Sequence, residues 1–580
     1  MQITSVLWGV AESMEARRIG KNGRMAQKTL ASATGFLSVG SLLEFASGRV
    51  QKYVFWPQKM KNGTAVSIRY HIRNCALWST RGKYSALSVR PEPVYNGSIK
   101  KLEKQMNIIK RIFSVNNMVK SEYLRGDLPK SKEAYSDLLK IAVPSIIEMV
   151  FVSLIGSVDI VMVSRLGFEA IAAVGLAGQP NMIMLSMFLA LNVGVTAIVA
   201  RRKGENLPDA ANLTLRNALM LILGFSFVVM ALTLVFSRRL MLVAGAQADT
   251  IDMADDYFRI IVYFLPVNAL TMCINAAQRG VGNTRITMVS NIAANVVNVF
   301  FDYCLIYGNL GFPKLGVAGD AWASGIGFCV ALLLSSGALI RRGAENFFLH
   351  ISIKDDWRLN KDTVKSILKV GGNSVIEQIG QRIGFFIYAV IVANLGTAVF
   401  AAHQVAMQFL GFSFNFGNGL AVAGTSLVGQ MLGKKRPDLA AVYGKCAQRL
   451  SLIMSLTLGL CIVVFRAPLI AIFLVKSDPA NAVPFAIALE LMLVVAVFQP
   501  PQTSSVVVSG CLRGAGDNFY IAIVMIICVT FIRPVFSLLA VYVFELGIIG
   551  AWCAALIDMC IRLGLVYYRF SGSKWHYKKV

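Results

Sequence analysis

From Leu138 onward the chain alternates apolar stretches of about 20 residues or more with short polar connections, and each stretch is long enough to cross a ~30 Å hydrocarbon layer as a helix. The stretches begin near Leu138, Ile171, Asn212, Asp255, Ile286, Val317, Val364, Phe400, Val442, Ala482, Phe519 and Leu546. The pattern predicts an all-α polytopic membrane protein of twelve transmembrane helices. Isolated charges inside the spans imply helices bundled around a polar interior, because a charge facing lipid is costly. Residues 1–117 break the pattern, with scattered single hydrophobics, no sustained period and no apolar span. They read as a basic extension, either disordered or lying upstream of a true start at Met118. Their basic, serine-containing, acid-poor composition also describes an organelle transit peptide.

The apolar pattern repeats itself. Shifting the sequence by 229 residues aligns Leu139–Asn212 with Leu368–Ala441 and gives 21 identities in 74 positions. Greasiness alone does not explain them, since they include Lys140 with Lys369, Glu148 with Glu377, Gln179 with Gln408, and Gly204, Pro208 and Asp209 with Gly433, Pro437 and Asp438. Further on, Arg279-Gly280-Val281-Gly282-Asn283 recurs as Arg513-Gly514-Ala515-Gly516-Asp517, and Leu315–Gly319 recurs as Leu546–Gly550. The repeat therefore spans six helices, which divides the chain into an N-lobe at 118–345 and a C-lobe at 346–580. An even number of crossings returns the chain to its starting face, so the lobes share one orientation. Parallel repeats with a midplane cavity between them are an architecture of alternating-access carriers.

Composition agrees with a bilayer. Fifty-six per cent of the residues are apolar and 15% are charged, with a mean hydropathy of +0.61. The formal charge of +26 would suit a nucleic-acid partner, but its distribution excludes that reading. The basic residues crowd into alternate connections, at Arg201–Lys203, Arg279, Arg285, Arg341, Arg342, Lys354–Lys365, Lys434–Arg436 and Arg513, and into the tail after Arg569. By the positive-inside rule that side is cytoplasmic, so both termini are expected inside a plasma (inner) membrane. Nine of the ten cysteines, Cys273 to Cys560, lie in or beside the spans without metal-ligand spacing, and no disulfide framework or metal site is implied.

The span holding Pro144, Asp159 and Leu166-Gly167, the Ala401-Ala402-His403-Gln404 entry to the eighth helix, the two Arg-Gly-x-Gly-Asn/Asp loops, and Asn295, Asn298 and Asp302 together resemble the multidrug and toxic compound extrusion family. The resemblance covers about Met118 to Val580. It implies export of bulky, often cationic organic compounds, driven by inward flow of protons or sodium ions, by a monomer that needs no cofactor.

Ion coupling needs a carboxylate held away from bulk water, where burial and neighbours tune its affinity for a proton or cation. Asp159 sits in the apolar stretch Gly156–Val163, six residues before Arg165, on the order of 9 Å below the helix end. Asp302 lies six residues before Gly308 at a similar depth, and Asn295, Asn298 and Asp302 share one helix face. The family's proton or sodium site matches Asp159, Asn298 and Asp302, with Ser324 as a further member. In the second half Tyr388 stands where Asp159 does in the first. Glu148 and Glu377, present in both halves, read as structural or as lining the cavity. Arg382 joins Glu377, Gln378 and Gln381 in polar stripes on the seventh helix. The family's second-half glutamate falls at or near Gln381 here, which leaves a second cation site in doubt.

For substrate contacts, flexible thioethers and amides suit a promiscuous cavity, which singles out Gln179, Met182, Gln404 and Gln408. Asp558 and Arg562 are spaced for an intrahelical pair. Arg533 has no acid in its own turn and is expected to meet a carboxylate on another helix or face the cavity. A lipid-linked saccharide flippase is the second transport reading. An intramembrane enzyme fits poorly with four histidines, of which only His403 lies in a span, and no Walker-type phosphate loop is present for ATP-driven transport.

Overall fold

Backbone N–H and C=O groups in hydrocarbon find no water, so each apolar run must close its own hydrogen bonds and does so as a helix. The computed structural model describes residues 113–119, 121–340, 348–352, 354–474 and 482–578, all within one compact unit, Glu92–Val580. The helices are α1 (Ser131–Ser164), α2 (Phe168–Gly204), α3 (Pro208–Val243), α4 (Ile251–Tyr263 and Leu265–Gly280), α5 (Thr284–Tyr307), α6 (Val317–Ile340), α7 (Lys361–Ala393), α8 (Thr397–Gly433), α9 (Pro437–Ala471), α10 (Ala482–Gly514), α11 (Asn518–Val543) and α12 (Gly547–Ser571). Nearly all of the basic extension at 1–117, and the expected lobe boundary at 345, lie outside the described residues.

Against the twelve expected spans, ten helices among the described residues are long and apolar enough to cross a membrane, and the two arms of α4 make eleven. α8 is the remaining one. It is 37 residues long, roughly 55 Å of helix, but Gln404, Gln408, Asn415, Asn418 and its glycines dilute its hydropathy. α4 bends by 48° because Pro266, in the first turn of its second arm, has no N–H to bond the preceding turn. The ring of Phe264, at the bend, lies over Gly325 of α6, where a Cβ would stand 2.2 Å from it.

The two halves of the chain pack alike. In the first, α1 packs on α5, α2 on α4 and α5 on α6; in the second, α7 packs on α11, α8 on α10 and α11 on α12. Thr196 donates to the Ala276 carbonyl at 3.0 Å, and Thr425, its aligned partner, donates to the Gly510 carbonyl at 2.8 Å.

Between the halves, α1 packs on α8, and α2 on both α7 and α8. These contacts gather at the end of the bundle where the basic connections lie. A Cβ on Gly204 would stand 1.9 Å from the Gln430 carbonyl oxygen, and one on Gly433 would stand 2.2 Å from that of Arg201. The ends of α2 and α8 thus cross backbone to backbone, an approach only glycine allows. Ser426 and Gln430 of α8 both donate to the Gly280 carbonyl, at 3.1 Å each.

The chain on either side of the bundle closes over the same end. Val115 and Met118 are buried. The Val115 N–H donates to Ser131 Oγ at 3.1 Å, and Lys445 Nζ of α9 donates to the Met118 carbonyl at 2.5 Å. The Arg125 N–H donates to Asp438, which Arg436 also holds at 2.8 Å. Beyond α12, the fully buried Trp575 stacks on Phe570 at 5.1 Å.

Replacing Gly433 by Val should force α2 and α8 apart at this end. Double electron–electron resonance between spin labels at the exposed positions Arg285 and Phe519 should then show a longer mean distance than in the parent protein. An unchanged distribution would show that the crossing does not hold the halves together.

Candidate functional site

α5 presents a continuous polar face inside the bundle, because Thr287, Asn291, Asn295, Asn298 and Asp302 recur at intervals of three and four. At its basic end stands a buried ion pair. Glu148 of α1 accepts from Arg279 at the end of α4, from Thr287 at 2.9 Å and from Asn291 at 2.6 Å. Asn291 also accepts from Asn275 at 3.2 Å, and Asn275 in turn accepts from Ser335 of α6 at 3.0 Å. The second half carries the matching pair, Glu377 of α7 with Arg513 at the end of α10, and Gln381 donates to Glu377 at 3.0 Å. Glu148 and Glu377, both 1% exposed, are therefore held by arginine and lie inside the helix packing, not on an open cavity wall. Arg279 and Arg513, which charge topology alone accounts for in the sequence, are their partners.

Toward the other end of α5 the polar face meets a cluster of carboxyls. Asp302 is fully buried and lies within hydrogen-bonding reach of Asp320 at the start of α6; both interact electrostatically with Asp159 of α1 and with Tyr257 of α4. Neither oxygen of Asp302 receives a hydrogen bond from the described residues, nor does Oδ1 of Asp159. Asn298 donates to Ser324 Oγ beside them at 3.3 Å. Asp302 and Asp320 thus lie side by side, with Asp159 of a third helix within electrostatic range, and no arginine or lysine is paired to them among the described residues. Such crowding favours the protonated form or a neutralising cation.

The sequence-predicted residues Asp159, Asn298, Asp302 and Ser324 are thus brought together. Asp320 was not foreseen, since it lies in the first turn of α6, next to the repeated Leu-Gly-x-x-Gly segment, and reads there as a helix-start acid. Its signal was the lack of a counterpart: the aligned residue in the second half is Ala551. Among the described residues no group of three or more His, Cys, Asp and Glu is placed to hold a metal ion. The cavity candidates divide. Gln179, Met182, Arg382, Gln404 and Gln408 are exposed on α2, α7 and α8, away from the crossing of Gly204 and Gly433, whereas Glu148 and Glu377 are not.

In the second half, Asp558 does pair with Arg562 at 2.7 Å, and the carboxylate expected for Arg533 on another helix is also Asp558, at 2.8 Å. His403 packs its ring against Tyr388 and Trp552, at 5.7 and 5.6 Å between centroids. Its Nδ1 has no hydrogen-bond partner among the described residues.

The described helices form a multi-pass bundle with buried carboxyls in its interior. The MatE family profile matches residues 144–304 and 374–539, more than half of the chain, and the protein belongs to this family of multidrug efflux transporters, whose members are not enzymes. It is 27% identical over 456 residues to a probable multidrug resistance protein NorM of Thermotoga maritima, covering 78% of this chain and 96% of that one. It is 28% identical over 386 residues to the multidrug resistance protein PmpM of Pseudomonas aeruginosa, covering 66% and 79%. Its fold matches an outward-facing multidrug resistance MATE transporter of the MOP superfamily with a TM-score of 0.70 at 22% identity, over 78% of this chain and 97% of that one. It also matches, with a TM-score of 0.71 at 22% identity over 78% and 96%, a MOP-superfamily transporter from Pyrococcus furiosus described as having a binding pocket of reverse polarity.

Breaking a buried pair leaves a stranded charge and costs about 3–5 kcal/mol, whereas removing both partners costs far less. Arg279→Met should therefore destabilise the protein by that order, and Glu148→Gln in the same chain should restore most of the loss. Unfolding in mixed micelles, read as a double-mutant cycle, measures both. Additive losses would mean that the pair is not coupled.

Proposed function

We propose that this protein exports organic, often cationic compounds across the plasma membrane in antiport with protons or sodium ions, with Asp159, Asp302 and Asp320 as the coupling site. The observation that carries this reading is the buried carboxyl cluster in the first half, which has no cationic partner among the described residues. Asn298 and Ser324 supply neutral oxygens beside it, which a sodium ion would need in addition to the acids. No cofactor enters the cycle.

Twelve crossings support this cycle, with α8 counted as a span despite its amides, arranged as two six-helix lobes that work as a monomer. The matched helix pairs, the matched Thr196 and Thr425 hydrogen bonds and the matched Glu–Arg pairs favour the lobe division. With the basic connections cytoplasmic, both termini lie inside and the lobes meet at the cytoplasmic end. The conformation then opens outward, with Gln179, Met182, Gln404, Gln408 and Arg382 facing the space between lobes where substrate leaves. Loading of the carboxyls from outside lets α1, α5 and α6 repack, and the lobes then separate at the Gly204–Gly433 crossing. The polar face of α5 links the two events, because it joins the carboxyl cluster to the Glu148–Arg279 pair beside that crossing.

In liposomes holding a fluorescent organic cation, an imposed proton or sodium gradient should drive its movement. Asp159→Asn, Asp302→Asn and Asp320→Asn should each cut the gradient-driven rate at least tenfold while leaving the folded yield near that of the parent. Movement indifferent to both gradients rejects the antiport. Full activity in all three variants rejects the site.

A further inference from the structure

Arg533 interrupts the most apolar part of α11 and is followed by Pro534, with π-helical stretches at Ile526–Ile532 and Leu539–Val543 on either side. Such bulges put a side chain where an even helix would not, and they are frequent at functional sites. Here they set a guanidinium, 4% exposed, deep in the second half of the bundle. Its Nε and Nη2 donate to Asp558 Oδ2 of α12 at 2.9 and 2.8 Å. Arg562, one turn beyond Asp558, donates to the same oxygen at 2.7 Å. Oδ1 of Asp558 and Nε of Arg562 are buried without a partner among the described residues. The titratable groups that act on Arg533 electrostatically are Asp558, Arg562 and Tyr388. Two guanidiniums against one carboxylate leave one formal positive charge unbalanced.

The other side of Arg533 faces rings. Its guanidinium lies over Phe385 and Tyr388 of α7, at 4.9 and 5.6 Å, and the Tyr388 ring continues through His403 of α8 to Trp552 of α12. The Tyr388 hydroxyl, His403 Nδ1 and Trp552 Nε1 are all buried with no hydrogen-bond partner among the described residues. Cation–π contact returns part of what the arginine loses on leaving water. It offers no acceptor to the Tyr388 O–H or the Trp552 N–H, and buried donors are rarely left without one. An excess positive charge beside donors that lack an acceptor is the complement of an anion.

The position supports the same conclusion. Tyr388 aligns with Asp159, so the place that holds surplus carboxyls in the first half holds a surplus guanidinium in the second. We propose that the interior around Arg533, Tyr388, His403 and Trp552 binds a small monovalent anionic group, either an inorganic halide or the carboxylate of a transported compound.

The full chain in nanodiscs, melted in sodium chloride, sodium acetate or the sodium salt of a bulky organic sulfonate at equal sodium concentration, tests this. Chloride or acetate should raise the melting temperature saturably over the sulfonate. Trp552→Phe and Tyr388→Phe, which keep all three charges, should raise the half-saturating concentration at least fivefold; Arg533→Gln should abolish the effect. Stabilisation by chloride, with unchanged transport preference between compounds with and without a carboxylate, assigns the site to the halide. Stabilisation by acetate, with Trp552→Phe selectively slowing carboxylate-bearing compounds, assigns it to the substrate. Equal melting in all three salts overturns the proposal. So does an anion effect of the same size and half-saturation in the parent and in both conservative variants.

Discussion

An ionised carboxylate or guanidinium taken out of water without a partner costs several kcal/mol even after the protein relaxes around it, and the interior of this bundle is arranged around that cost. Glu148 and Glu377 meet it by accepting from Arg279 and Arg513 at the ends of α4 and α10. Asp558 meets it with two arginines. Asp159, Asp302 and Asp320 do not meet it with any arginine or lysine among the described residues, and a group that the fold leaves unbalanced is one that an ion can balance reversibly. The same constraint separates scaffold from machinery: paired charges hold helices together, and unpaired ones can exchange.

The two halves use one scaffold for opposite electrostatics. Their helices pack in the same pairs, and their threonines, glycines and Glu–Arg pairs make equivalent contacts, since these residues decide how closely backbones approach. At the level of Asp159 and Tyr388 the equivalence ends, with surplus negative charge in the first half and surplus positive charge in the second. Because the closest contacts between the halves lie at the basic end, through Gly204 and Gly433, each polarity can reorganise within its own half without first disturbing that crossing.

Much of this was legible in the sequence. Hydropathy located the helices, and the self-alignment paired Glu148 with Glu377 and Arg279 with Arg513 by position. The spacing of Asn295, Asn298 and Asp302 announced a polar face on α5. Other features were out of reach for physical reasons. Asp320 sits in a helix's first turn, where an acid is ordinary, and only the approach of α6 to α5 turns it toward Asp302. α8 is too polar for a hydropathy criterion because much of it packs against helices of both halves, not against lipid.

The sequence by itself determined where the chain passes between polar and apolar surroundings and which aspartates sit inside apolar stretches, because these depend on local composition and spacing along one helix. Only the tertiary structure decided which charges neutralise one another. Glu148 and Arg279 are 131 residues apart, and Arg533 and Asp558 lie on different helices. Coulombic and hydrogen-bonding partners are set by distances between helices, and those distances follow from small residues such as Gly204, Gly319 and Gly433 that let backbones touch.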